Sequence, residues 1–398
     1  MTAANPPENL NNQLISAIWK EGMVRASGVQ DAFRKMPRHL FLPDVPLEEV
    51  YKDQAIPLKY DRAGRLISSC SQPTMIATML DQLRLKPGDN VLEIGTASGY
   101  NAALMSCIVG QAGHVTSIEI DKDLATQAER NLSRAKVVDV RVVHADAASG
   151  YLPRAAYDHI VATAGVWDIP QTWVRQLKDG GNLLVPIWVD GIQLSAKFRK
   201  QVDGTLLSED NRSCAFVYMR GEEAAPNLMR QIGSTSLYVV SDDVPLIDTV
   251  RLHTLLSDDH DLINIEPRLK PRPYWSGLQL YLMMNTPITA QFFLYTVADD
   301  RAAYGLKGQG IAVLLPSSAV FAPYDEMGVI HGFGGSEAAV LLQELVNQWI
   351  AEGRPSLEQL RLRLIPKTNT APIADIGRIY DRRYHLLQLW QESPVQPS

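Results

Sequence analysis

Small residues cluster in Glu93-Ile94-Gly95-Thr96-Ala97-Ser98-Gly99-Tyr100, between an apolar run (Asn90 to Ile94) and a helical stretch (Asn101 to Val109). Gly95, Ala97 and Gly99 allow a tight strand-to-helix turn whose backbone can lie against a ligand. A second apolar run, His114 to Ile120, carries Glu119 at its end, where a carboxylate can take ribose hydroxyls. In the dinucleotide fingerprint the small residues fall at i, i+2 and i+5. Here they fall at i, i+2 and i+4, with Glu93 just ahead, which suits S-adenosylmethionine better than NAD. A glycine turn in an α/β protein that binds no nucleotide would read the same way.

Two more strands end in candidate residues. Val140 to His144 runs into Ala145-Asp146-Ala147, and Asp158 to Ala164 carries Thr163 near its end. Ligands of open α/β sheets bind outside the carboxyl ends of the strands, where Glu93, Gly95, Glu119, Asp146 and Thr163 all fall. Upstream, Ser68-Ser69-Cys70-Ser71-Gln72-Pro73-Thr74-Met75 leads into a helix predicted from Pro73 to Leu83. A serine there is commonly an N-cap, so Ser71 has two readings, a cap or a hydroxyl for chemistry. His39 and His144 read as structural histidines.

These pieces need a frame. At 398 residues the chain suits two domains, and 46% hydrophobic with 21% charged residues is ordinary globular composition. A net charge of -6 argues against a nucleic-acid surface, and three scattered cysteines against a disulfide or zinc framework. The N-terminus has no basic and apolar signal-peptide regions, and no apolar run is long enough to span a bilayer. A soluble, cytoplasmic protein without membrane partners is expected. The periodicity predicts helices over 9–24 and Gly28 to Lys35, and an extended piece over Arg38 to Pro43. Gln54 to Leu58 reads as a short strand, Asn182 to Pro186 as a fifth sheet strand after Gly180-Gly181, and Gln193 to Tyr218 as a terminal antiparallel pair. Gly221 to Pro226 reads as a linker. Beyond it, strands at Ser236 to Val240, Gln291 to Val297, Ile311 to Leu315 and Ala319 to Ala322 precede a helix over Ser336 to Glu352. Leu360 to Ile365 reads as the last strand, Tyr274, Trp275, Phe292 and Phe293 as core, and the tail from Glu392 as frayed. The expectation is an α/β doubly wound, Rossmann-like sheet over 1–221 and an α+β domain over 222–398.

With those pieces placed, residues 10 to 220 resemble the protein-L-isoaspartate O-methyltransferase family. The specific blocks are Ser71-Gln72-Pro73-Thr74-Met75-Ile76-Ala77 and Val91 to Tyr100, joined by Ser117-Ile118-Glu119, the Asp158-to-Ala164 strand and Gly180-Gly181 before Leu184-Val185-Pro186. Ala97 departs from the family's middle glycine, Ala145-Asp146-Ala147 from its glycine-aspartate-glycine, and Trp167-Asp168 is not a feature of the repair enzymes. The longer layout looks like the relatives found with ribosomal peptide natural products, the FxLD-type lanthipeptide and graspetide tailoring methyltransferases. The signs are Ser68 to Thr74, Gly99 to Leu104, Trp167 to Pro170, Gly332 to Ala338, Leu345, Trp349 and Gly353-Arg354-Pro355.

The resemblance implies a class I S-adenosyl-L-methionine-dependent carboxyl methyltransferase that releases S-adenosyl-L-homocysteine and acts on an aspartate or isoaspartate of a peptide or protein. It implies that Glu93, Gly95, Thr96, Ala97, Ser98, Gly99, Glu119, Asp146 and Ala147 hold the cofactor. Ser71 would orient the acceptor carboxylate, with Ile56, Gln72 and Trp167 beside it. Thr163 would line the methyl site, though a packed threonine fits that place equally. Trp167 could instead belong to a domain interface. An ionised carboxylate attacking a sulfonium methyl needs in-line geometry and exclusion of water rather than acid-base groups or a metal. A modified ribosomal peptide is the first expected substrate, damaged protein the alternative, and a peptide-binding module without catalysis a third.

Overall fold

The first helices form because their apolar positions recur at helical spacing and meet one face. In α1 (Pro7–Lys20) Leu14, Ile15 and Ile18 are buried, and in α2 (Ser27–Lys35) Val29, Ala32 and Phe33. Phe33 meets Tyr100 edge-on at 6.0 Å, and Phe41 packs on the same ring at 5.3 Å. The piece expected to be extended is instead a 3-10 turn, Arg38–Phe41, entered from Pro37 and closed by the Leu42 N–H on the His39 carbonyl. A short helix α3 (Leu47–Val50) leads to the hairpin β1 (Ile56–Tyr60) and β2 (Leu66–Cys70), and then to α4 (Pro73–Leu83). The computed structural model describes residues 6–20, 22, 24–242, 247–257, 260–268, 277–298, 303–326, 328–370 and 372–392.

The sheet that carries the site begins with β3 (Asn90–Ile94), α5 (Tyr100–Val109), β4 (His114–Glu119), α6 (Lys122–Arg134), β5 (Val140–His144) and β6 (Tyr157–Ala162). After α7 (Gln171–Gln176) come β7 (Leu177–Val189), β8 (Ile192–Lys200) and β9 (Leu206–Ser213). Strands β5, β4, β3, β6 and β7 lie parallel in that order, and β8 and β9 continue the sheet antiparallel. This is the class I methyltransferase arrangement. Gly180-Gly181 does not start a strand but lies within β7, where the register with β6 shifts between Tyr157 and His159.

A single boundary at residue 221 does not describe the rest. The strands β10 (Met229–Gln231), β11 (Leu237–Val240), β12 (His260–Asn264), β13 (Gln291–Val297), β14 (Gln309–Leu314), β15 (Ser318–Pro323) and β16 (Val329–Gly334) build a second, antiparallel sheet ordered β10-β11-β13-β14-β15-β16-β12. With it go α8 (Thr249–Leu256), α9 (Gln279–Asn285) and α10 (Glu337–Ala351). The chain then returns: β17 (Leu360–Pro366) pairs with β9, and β19 (His385–Gln391) pairs with β17 and with β18 (Arg378–Asp381). The first sheet therefore has ten strands, and the second is an insertion between neighbours β9 and β17. The reason lies in alternation: Leu360, Leu362, Leu364, Leu387 and Leu389 are all fully buried, in one core with Leu206 and Phe198.

That core is continuous from Leu92 and Ile118 to Phe292 and Val313, so the two sheets share it. Phe292 enters the shared core, and Phe293, on the opposite face of β13, enters the insertion's own. Tyr274, Trp275 and the tail beyond Glu392 lie outside the described residues. Leu360–Pro366 is not the last strand, since β18 and β19 follow it. β12, which carries no sequence signal, is an edge strand with most of its residues exposed. A fragment ending at residue 226 should lose the cover of β9. Each buried leucine of β17 and β19 contributes about 1.5–3 kcal/mol, so this fragment is expected to aggregate or melt far below the full chain, as read by size-exclusion and thermal unfolding. A monomeric fragment as heat-stable as the whole would contradict the shared sheet.

Candidate functional site

The loop after β3 is shaped by contacts only small residues permit. Gly95 has φ +96°, and a Cβ there would stand 2.6 Å from Thr163 Oγ1. Thr163 hydroxyl lies 2.8 Å from the Gly95 carbonyl and 3.0 Å from that of Ile94, fastening the loop to the end of β6. Ala97, without glycine's freedom, sits at φ +49°. Its N–H donates to Glu119 Oε2 at 2.9 Å, and Asp121 N–H donates to Oε1 at 3.1 Å. Glu119 is thus fixed at the end of β4.

Beneath the loop, Glu93 is fully buried and accepts from Asn101 Nδ2 at 2.8 Å and from the Ser117 hydroxyl. Ser117 in turn meets Thr96 Oγ1 at 2.6 Å. Burial pushes the Glu93 carboxyl up to about 7, against the partial opposition of its two hydrogen bonds. It braces the loop from below and does not line the cavity.

On the facing side, the cap reading of Ser71 is corrected. The N-cap residue of α4 is Gln72, without a side-chain cap of its own. Asp53 fills the role from the preceding segment: it accepts the Thr74 N–H at 2.8 Å, the Thr74 hydroxyl at 2.7 Å and Gln72 Nε2 at 2.9 Å. Ser71 caps no helix and lines the cavity. Its carbonyl accepts from Arg38 Nη2 at 2.9 Å. Arg38 is fully buried and also donates to the carbonyls of Val50, Lys52, Gln54 and Cys70 at 2.9–3.4 Å. Among the described residues it has no carboxylate partner.

Between these walls lies a cavity of about 370 Å³, within the range of small-molecule sites. Gly95, Thr96, Ala97, Ser98, Glu119, Ala147 and Thr163 line it together with Ser71 and Gln72. Its roof is the segment 214–220 after β9, missed as such from sequence. Gln193 Oε1 accepts the Phe216 N–H at 2.5 Å, and Gly165 exchanges hydrogen bonds with Val217 and Met219. At the far end Arg220 pairs with Asp121, which also holds Lys59 of the hairpin at 2.6 Å. The apolar Phe216-Val217-Tyr218 beyond a polar strand was the available signal.

Several expected residues lie elsewhere. Gly99 caps α5 at φ +84° and packs on Ala128 and Leu132 rather than lining the cavity. Asp146 spends Oδ1 on the Ala148 N–H and Oδ2 on the Glu222 N–H, both at 2.9 Å. Gly221-Glu222 is accordingly no free linker: a Cβ on Gly221 would stand 2.2 Å from Asp146 Oδ2. Ile56 is buried in the N-terminal core opposite Cys70, and its neighbour Ala55 lines the cavity instead. Trp167 donates from Nε1 to Asp242 at 2.7 Å and lies 4.8 Å under the Arg382 guanidinium, at the junction of the two sheets.

The family model described as protein-L-isoaspartate(D-aspartate) O-methyltransferase (PCMT) matches residues 8–224. The protein-L-isoaspartate O-methyltransferase of Pyrococcus horikoshii is 40% identical over 207 residues, 51% of this chain and 89% of that protein. Its counterpart in Pyrococcus abyssi is 38% identical over 213 residues, 52% of this chain and 93% of its own. A solved protein-L-isoaspartate O-methyltransferase aligns with 89% of this chain and 96% of its own, at TM-score 0.50 and 25% identity. That overlap runs well past residue 224, so this one enzyme shares much of the C-terminal part, whereas the two Pyrococcus enzymes match only about half of the chain.

Two outcomes follow from the buried groups. Glu93 is raised in the folded protein from 4.5 to about 7, so its contribution is full below about pH 4.5 and lost as pH rises through about 7. Thermal stability should therefore fall on the order of 3 kcal/mol across that window, and Glu93→Gln should flatten the profile. An unchanged slope in the variant would contradict this origin. Arg38→Lys cannot fork to the same carbonyls and should cost roughly 3 kcal/mol in chemical denaturation.

Proposed function

The chain belongs to the protein-L-isoaspartate(D-aspartate) O-methyltransferase family, and we propose that it methylates the free carboxylate of L-isoaspartyl residues in proteins or peptides. It is an S-adenosylmethionine-dependent protein carboxyl O-methyltransferase by its family and fold. One observation carries the substrate side of the reading: the glycine loop, Glu119 and Ser71, which caps no helix, line a single cavity.

The residues present suit that cofactor. A loop that tolerates no Cβ at Gly95 offers backbone to an adenosyl group, and Glu119 beside it is an acceptor for hydroxyls. When bound, S-adenosylmethionine supplies a methyl group on a positively charged sulfur. Ser71 would donate to one oxygen of the acceptor carboxylate and aim the other along the transfer line. No side chain need remove a proton, because the acceptor is ionised at neutral pH. Met75, Ile76, Ile94, Phe216 and Val217 supply apolar walls that would exclude water once cofactor and substrate fill the cavity. Both reacting charges vanish in the product ester, so a dry, low-dielectric site favours the passage. Thr163 acts through the loop it fastens.

A substrate made to be modified, such as a ribosomal peptide precursor, drew its support from Ser68 to Thr74, Gly99 to Leu104 and Trp167 to Pro170 and most of all from the C-terminal domain. A solved protein-L-isoaspartate O-methyltransferase that overlaps most of this chain takes weight from the C-terminal ground, and isoaspartyl substrates fit better. The purified protein should transfer labelled methyl to an isoaspartyl peptide and leave its aspartyl twin untouched. Methylation of a cyclised precursor alone would overturn this. Ser71→Ala should lower turnover on the order of 10²-fold with cofactor affinity unchanged. Glu119→Ala should chiefly weaken S-adenosylhomocysteine binding, by about tenfold. Failure of the wild type to bind that product in calorimetry would favour a non-catalytic peptide-binding module.

A further inference from the structure

The turn from β18 to β19, Arg382-Arg383-Tyr384-His385, lies outside the family-matched stretch and lines none of the cavity. It nevertheless touches the supports of the roof at three places. At the roof's exit, Arg383 Nη1 donates to the Glu222 carbonyl at 3.1 Å and to Glu223 Oε2 at 2.6 Å, and Tyr384 hydroxyl donates to Glu223 Oε1 at 2.8 Å. At the loop after β6, Asp168 accepts the Tyr384 N–H at 2.6 Å and pairs with His385 Nδ1 at 2.7 Å. That loop carries Gly165, the roof's middle anchor. At the third place, Arg382 Nη2 donates to the Trp188 carbonyl at 3.1 Å, and the Trp188 ring stacks on Tyr218 of the roof at 4.6 Å.

The roof itself lies outside every strand, so anchors of this kind fix its height. We propose that the turn Arg382–His385 positions the roof over the cofactor, making Arg383 and Tyr384 positioning residues for cofactor affinity. The inference rests on the reading of the cavity as the S-adenosylmethionine site. Loosening the exit anchor lets segment 214–220 rise and forfeits apolar contact with the bound cofactor. Arg383 is the place to test this, because its side chain is 38% exposed and its loss opens no core.

The experiment is calorimetric titration of S-adenosylhomocysteine into the full chain. The variants are Arg383→Ala, Tyr384→Phe, Arg383→Lys, and Lys367→Ala, whose ammonium holds Asp381 on the same hairpin at 2.5 Å. Arg383→Ala and Tyr384→Phe are each expected to bind about three- to tenfold more weakly. The KM for S-adenosylmethionine should rise by a like factor, with kcat, peptide KM and melting temperature unchanged. Arg383→Lys should recover part of the affinity, and Lys367→Ala should match the wild type. Wild-type affinity in both Arg383→Ala and Tyr384→Phe would overturn the inference. So would a loss that tracks melting temperature and appears equally in Lys367→Ala. A wild type that binds no S-adenosylhomocysteine would instead overturn the reading of the cavity on which the inference stands.

Discussion

A buried guanidinium with no acid beside it must find its partners among carbonyl oxygens, and Arg38 does so by gathering five of them. Two come from the end of α3 and the residue pair after it, one from the lead into β1, and two from the end of β2 and Ser71. The requirement therefore folds the Ser71 side of the cavity around one charge. Desolvating that charge costs several kcal/mol, so the segments it joins cannot part singly without leaving it unsatisfied. The position of Ser71 is in this sense a consequence of Arg38, just as the position of the glycine loop is a consequence of Thr163 and Glu119.

The glycine-loop side follows a similar rule with neutral partners above and a carboxyl below. Backbone polar groups that run outside strands need side chains to satisfy them. Gln193, Asp146 and Glu119 each spend their side-chain oxygens on such N–H groups. Asp146, well placed by sequence, thereby holds the chain as it leaves the roof and does not line the cavity, whereas Glu119 still does, each of its oxygens keeping a lone pair. The same rule explains how a sheet of ten strands holds a site whose glycine-turn and roof walls are loops: the strands fix where the loops start, and the polar side chains fix where they go.

Much of this was legible before any coordinates. The period of apolar residues placed β3, β4 and β6, and the demand for φ above zero made the Gly95 turn visible in a single line of text. The helix Pro73–Leu83 was legible for the same reason. What escaped were pairings between distant segments. Nothing local says that Asp53 caps α4 and so frees Ser71, or that Trp167 has its partner in Asp242. The alternating leucines and arginines of Leu360–Pro366 announce a strand and its inward face, yet alternation carries no information on which edge receives it. The edge strand β12 and the glycine-bearing β16 lack the alternation altogether, since one is largely exposed and the other needs Gly332 and Gly334 for close approach.

The insertion of the second sheet between β9 and β17 changes how the C-terminal half must be understood. A domain appended after the catalytic sheet could be lost without touching the site. An insertion cannot, because the strands that follow it complete the first sheet's edge and share its core. The roof leaves β9 and passes directly into the inserted sheet, while the returning hairpin comes back against the roof's exit. The inserted sheet is therefore tied to segment 214–220 from both sides, through the covalent chain on one and through the Asp242–Arg382–Trp167 contact on the other. This half of the chain is thereby joined to the cavity's roof without placing any of its residues in the cavity.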